Sequence, residues 1–113
     1  FRLWLLSNAQ RVFTAYELGA LGLDTCFDGI YISSSFGFRK PDVRFFRTLM
    51  EENSLDPSRC LMIGNDDRED MHCATAVGME CYLVTDCRIP YADNPWTGAQ
   101  GTFVEMIEML KAL

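Results

Sequence analysis

Four acids, Asp66, Asp67, Glu69 and Asp70, crowd into five residues directly after the run Leu61-Met62-Ile63-Gly64-Asn65. Carboxylates this close repel one another, and holding them together in a folded chain calls for a compensating cation. Donors that are all oxygen suit magnesium or calcium. Two further groups stand near the ends of apolar stretches: Ser7-Asn8 after residues 1–6, and Lys40 a short loop beyond residues 29–33. A hydroxyl with adjacent backbone N–H groups and a lysine near a helix start are groups that hold a phosphoryl oxygen, and a divalent ion on the acids would neutralise it. Each group also has a plainer role. Acids near a helix start are good caps, a strand-end serine is commonly a turn residue, and Lys40 is at home as a solvated lysine. Convergence in space decides between the two.

For these groups to meet, several strands must end on one side. The run 61–64 stops at a glycine, with Pro57 and Ser58 upstream, while Met71, Ala74, Val77 and Gly78 follow at helical spacing with a glycine stop. That unit is a strand, an acidic turn and a helix. Residues 1–6 are too apolar to have one wet face and are predicted as an interior parallel strand. A helix is predicted over 9–21, with Val12, Phe13, Tyr16 and Leu18 as its apolar side and Gly22 as its stop. Residues 29–33 form a second strand and lead into a loop through Arg39. Lys40-Pro41-Asp42 then opens a helix to about Asn53 that buries Phe45, Phe46, Leu49 and Met50. Residues 80–85 make a fourth strand, and 86–101 an irregular stretch with Pro90, Pro95, Gly98 and Gly101. Thr102 caps the last helix, whose buried stripe is Phe103, Ile107 and Leu110. Four strands alternating with four helices predict an α/β fold with right-handed crossovers and a mostly parallel sheet. Ligands of such sheets bind beyond the carboxyl ends of the strands, the rim on which Ser7, Asn8, Lys40 and the acids fall.

Composition narrows the partners. The 113 residues, 49% of them apolar, make one domain spanning 1–113, with a net charge of -6. The ten Lys and Arg form no basic stripe, so no nucleic-acid partner is expected. No apolar run approaches the roughly 18–20 residues of a membrane span, so no membrane partner is expected either. Five cysteines, an odd number with no C-x-x-C pair, fit a reducing, cytoplasmic setting. The single histidine, His72, leaves little material for a zinc site or a histidine-based triad and is expected to be a surface or packing residue.

Taken together, Ser7-Asn8 after an apolar strand, Gly37-Phe38-Arg39-Lys40-Pro41-Asp42 before an aromatic-rich helix, and Ile63-Gly64-Asn65-Asp66 through Asp70 and Ala74 to Gly78-Met79 resemble the haloacid dehalogenase (HAD)-like hydrolase superfamily. Three of that family's four motifs are present in order, and the resemblance covers essentially the whole chain. It implies a Rossmann-like three-layer sandwich. Ser7 would hydrogen-bond the transferring phosphoryl group with help from the backbone of Asn8, and Lys40 would stabilise its negative charge. The acidic motif would coordinate Mg2+. The family's usual form is Gly-Asp with a second acid further on, whereas here Asn65 follows Gly64. Asp66 is expected as the direct ligand, with Asp70 and the amide oxygen of Asn65 in support.

The family's D-x-D element, at the end of its central strand, supplies the nucleophile and the general acid/base, and no such element lies upstream of Ser7. That strand would lie between the strand ending at Ser7 and the strand ending at Gly64. Strands pair about 4.8 Å apart, so without it two ladders of backbone hydrogen bonds lose their partner. An earlier segment of the intact polypeptide is therefore expected to carry the nucleophile strand and a helical cap. The implied activity is magnesium-dependent hydrolysis of a small phosphate monoester through an aspartyl-phosphate. A dehalogenase or phosphotransferase could use a similar scaffold, but Lys40 beside an acidic metal site leans towards phosphate. The rival reading is a regulatory module that keeps phosphate or metal binding without turnover, which Asn65 favours. A receiver-type signalling domain places its acidic pair first and its lysine last, against the order Ser7, Lys40, Asp66. A dinucleotide-binding fold lacks its G-x-G-x-x-G after any strand.

Overall fold

Short apolar runs bounded by polar turns become parallel strands, and the segments between them cross over as helices. In the computed structural model, which describes residues 1–113, the strands are β1 (Trp4–Ser7), β2 (Gly29–Ile32), β3 (Leu61–Gly64), β4 (Glu80–Val84) and β5 (Gln100–Gly101). The helices are α1 (Arg11–Ala20), α2 (Val43–Glu52), α3 (Cys73–Ala76) and α4 (Phe103–Lys111). All strand pairs are parallel, with Leu5 opposite Ile30, Ile63 opposite Tyr82 and Leu83 opposite Gln100. They form two sheets, β1-β2 and β3-β4-β5, and no ladder joins β1 to β3.

One apolar core nevertheless spans both sheets. Phe45, Phe46, Leu49 and Met50 of α2 pack in the same cluster as Tyr31 from β2 and Leu83 from β4, with Met71 and Ala74 beneath the acidic turn. The loop before α2 adds aromatic cover. Phe36 stacks on Tyr31 with ring centroids 5.3 Å apart, and Phe38 meets Phe45 edge-on at 6.3 Å. No helix is long and apolar enough to cross a membrane.

The structure departs from the sequence expectations at four places. The Lys40–Pro41 peptide is cis and α2 opens at Val43, because Asp42 is extended and its carboxylate accepts the Arg44 N–H at 3.0 Å. The helix after the acids begins as a wide turn over Asp67–His72, in which the Met71 N–H reaches back five residues to the Asp66 carbonyl. The stretch 86–101 contains a fifth strand of two residues, and a Cβ at Gly101 would collide with the Tyr82 hydroxyl. Two apolar faces are open: Val12, Phe13 and Tyr16 of α1 are 79%, 68% and 77% exposed, and Phe103 is 54% exposed. On α4 the buried residue is Met106. Phe103 sits in the first turn, where its N–H is capped by the Asp86 carboxylate and Thr102 forms a capping box with Glu105.

Phe45 is fully buried at the junction of α2 with both sheets. Phe45→Ala is expected to destabilise the full-length protein by about 3–5 kcal/mol, read as a lower urea midpoint at unchanged slope.

Candidate active site

Lys40 enters the rim from the loop before α2 and is only 8% exposed. Its ammonium lies 2.5 Å from Asp70 Oδ1 and donates to the Leu6 carbonyl at 3.2 Å. An ammonium has three N–H donors, so one remains available. Asn8 fixes the lysine's backbone from both sides: its Nδ2 donates to the Lys40 carbonyl at 2.8 Å and its Oδ1 accepts the Lys40 N–H at 2.9 Å. The same Nδ2 donates to Glu69 Oε2 at 3.1 Å. The residues that end β1 are thereby tied to those that follow β3.

Each acid has its own partners. Asp70 Oδ2 accepts the backbone N–H groups of Asn65 and Asp66 at 3.1 and 3.2 Å, so both of its oxygens are engaged. Gly64 makes room for it, since a Cβ there would collide with the Asp70 side chain. Asp66 Oδ1 accepts the N–H groups of Arg68 and Glu69 at 2.9 and 2.7 Å and caps the wide turn. Its other oxygen is uncommitted. Asp66 lines a shallow cleft of about 180 Å³ with Arg68, Glu69, Ile89, Pro90 and Tyr91.

Asp67 faces the other way and is fully buried. Arg88 grips it in a fork, Nε at 2.9 Å and Nη2 at 2.8 Å, and the Trp96 N–H donates at 2.8 Å. The Arg88 hydrogen bonds, joined by the Trp96 N–H, hold the Asp67 carboxyl down at about 2 against the opposing effect of burial. Arg88 is raised in turn by its bonds to Asp67. This pair was not visible as a site feature in the sequence. The available signal was that one of four crowded acids must pair within the chain, and that Arg88 is the only cation in the stretch 86–101.

Of the residues singled out from sequence, Asn8, Lys40, Asp70 and the Asp66 backbone form one hydrogen-bonded group. Ser7 is half-buried at the end of β1, next to Asn8, and its hydroxyl is not part of that group. The Asn65 amide turns away and donates to the Cys87 carbonyl at 2.8 Å, leaving its oxygen uncommitted. Asp86 serves α4 as a cap, and His72 packs edge-on against Trp96 with Nε2 2.6 Å from the Asn94 carbonyl. No three acids, histidines or cysteines converge as a metal cage. The open oxygens of Asp66 and Asn65 are hard donors, and magnesium is commonly held by one or two carboxylates with water and substrate phosphate completing its shell. The donor set fits that habit.

Residues 1–84 match the family model described as haloacid dehalogenase-like hydrolase. The chain belongs to this family. Among curated relatives it is 30% identical over 113 residues to the glyceraldehyde 3-phosphate phosphatase of Methanothermobacter thermautotrophicus, covering all of this chain and 50% of that protein. It is 34% identical over 83 residues to haloacid dehalogenase-like hydrolase domain-containing protein 3 of Mus musculus, covering 74% of this chain and 33% of that protein. The chain thus spans half the length of one curated relative and a third of the other. The HAD-hydrolase YfnB of Bacillus subtilis, solved bound to magnesium, superposes with a TM-score of 0.87 at 19% identity, over 100% of this chain and 50% of that one. A HAD phosphatase from Thermococcus onnurineus gives 0.79 at 20% identity, over 97% and 50%. The fold is therefore the HAD-like α/β core.

Asp67 generates a pH signature. Its carboxyl titrates near 2 when folded, below its ordinary 3.8, so the stability it contributes is complete above about pH 4 and is lost as pH falls towards 2. Between pH 4 and 2 the wild-type protein is expected to lose stability more steeply than Asp67→Asn, measured by urea unfolding at stepped pH.

Proposed function

We propose that the complete protein is a magnesium-dependent phosphatase acting on a small phosphate monoester, through an aspartyl-phosphate whose aspartate lies outside these 113 residues. The observation that carries this reading is Lys40: a buried ammonium, fixed by Asp70 and the Leu6 carbonyl, with one of its three N–H donors uncommitted. A buried cation held this firmly is preorganised for a charge that arrives with the substrate. The division of the strands into two sheets supports a further parallel strand between β1 and β3, which would bring a nucleophile beside Lys40. A relative named for phosphatase activity supports the phosphate monoester as substrate class.

In this reading the Ser7 hydroxyl and the Asn8 backbone N–H bind phosphoryl oxygens. Lys40 stabilises the charge on the phosphoryl group and on the nucleophile. Asp66 would hold magnesium, with the Asn65 oxygen and Asp70 in support, and the ion when bound would supply charge neutralisation at the phosphoryl oxygens. Asp70 acts chiefly by orienting Lys40. Five free thiols support a reducing, cytoplasmic setting. A second reading, a phosphate- or metal-binding module without turnover, is favoured by one observation: the residue directly after Gly64 is the neutral Asn65, whose amide donates to the Cys87 carbonyl.

The full-length protein is expected to release phosphate from 4-nitrophenyl phosphate with magnesium and to stop when the metal is chelated. Lys40→Ala and Asp66→Asn are each expected to lower kcat/KM by about 10²–10³-fold, the scale for removing one preorganised electrostatic group. Magnesium or phosphate binding by a wild-type protein that shows no turnover would select the second reading.

A further inference from the structure

The long connection from β4 to β5 is fastened to the acidic turn, and the fastenings converge on one residue. The Asp67 N–H donates to the Ile89 carbonyl at 3.0 Å, and the Ile89 N–H donates to the Asn65 carbonyl at 2.7 Å, a parallel bridge centred on Asp66. The Asn65 amide holds the Cys87 carbonyl. Between these bonds Arg88 reaches inward to Asp67, and its Nη2 also donates to the Trp96 carbonyl at 3.2 Å. Asp66 is therefore flanked by two pinned neighbours, and its cleft is walled by Ile89, Pro90 and Tyr91 from the fastened segment.

Asp67 is fully buried and takes no part in the chemistry proposed above, so its charge needs another explanation. A buried ion pair is weak evidence for stability, because desolvation offsets most of the Coulombic gain. What a forked guanidinium–carboxylate pair does supply is a fixed orientation. We infer that Arg88 and Asp67 are positioning residues, a latch that holds the 87–91 segment on the acidic turn and thereby sets the carboxylate of Asp66 for a divalent cation. The inference rests on the reading of Asp66 as a cation ligand. The latch acts through the backbone of residues 65–67 and touches neither substrate nor ion.

The test uses full-length wild type, Arg88→Ala, Arg88→Lys and Asp67→Asn, with magnesium alone titrated by calorimetry and amide exchange followed at residues 87–91. Arg88→Ala is expected to raise the magnesium dissociation constant at least fivefold and to speed exchange of the Ile89 amide at least tenfold. Arg88→Lys, which keeps the charge and loses the fork, is expected to recover only part of both. Asp67→Asn keeps the shape and loses the charge. It is expected to move both readouts in the same direction and gives the answer if Arg88→Ala does not fold. Magnesium affinity within twofold of wild type in the variants, whether or not exchange accelerates, overturns the latch as a positioning device. A wild type that binds no magnesium overturns the cation reading itself, and the inference falls with it.

Discussion

The buried pair between Lys40 and Asp70 is the constraint on which the site depends. Two parallel sheets that share no ladder are joined across their carboxyl ends by this pair, by Lys40 donating to the Leu6 carbonyl, and by Asn8 reaching both Lys40 and Glu69. Below that polar seam α2 joins the same two sheets with apolar contacts. The two links differ in kind. Apolar packing is tolerant of small shifts, whereas breaking a buried ion pair by removing one partner costs about 3–5 kcal/mol, because it strands the other charge. The lysine is thus fixed by the same contacts that hold the sheets' ends in register.

Crowded acids were the strongest chemical signal in the sequence, and the simplest response to them is one shared cation. The structure answers differently. Asp70 turns to Lys40, Asp67 to Arg88, Glu69 to Asn8, and Asp66 to the backbone of its own turn. The wide turn over Asp67–His72 makes this divergence possible. Its hydrogen bond from Met71 to Asp66 spans five residues, and that extra residue separates neighbours that would otherwise crowd one side. Repulsion is relieved by giving each carboxylate a separate partner, which leaves one oxygen of Asp66 and one of Glu69 uncommitted.

Strands β1 to β4, the parallel sense of pairing and the aromatic face of α2 were legible because each rests on a local pattern of apolar residues. Lys40 and Asn8 were legible as candidates because they lie at element ends, and the structure brings them into one hydrogen-bonded group. The widened turn was not, since nothing in the spacing of Met71, Ala74 and Val77 distinguishes a five-residue from a four-residue hydrogen bond. Arg88 was hidden for a different reason: its partner is 21 residues away, across an irregular stretch without periodicity. The apolar side of α1 illustrates a third limit. Periodicity shows that Val12, Phe13 and Tyr16 share a character, but burial requires something to pack on them, and here they are exposed.

Asn65 shows how one atom changes what a position can do. An aspartate directly after Gly64 would offer two anionic oxygens but could not donate to the Cys87 carbonyl. The asparagine gives up one charged oxygen and in exchange anchors the connection that walls the Asp66 cleft. With Asn65 tethered, Asp67 buried against Arg88 and Asp70 committed to Lys40, the negative charge available on this rim narrows to the open oxygen of Asp66 and the outer oxygen of Glu69. Formally those two carboxylates would match the charge of one divalent ion, leaving the rest of its shell to neutral water and to substrate oxygens.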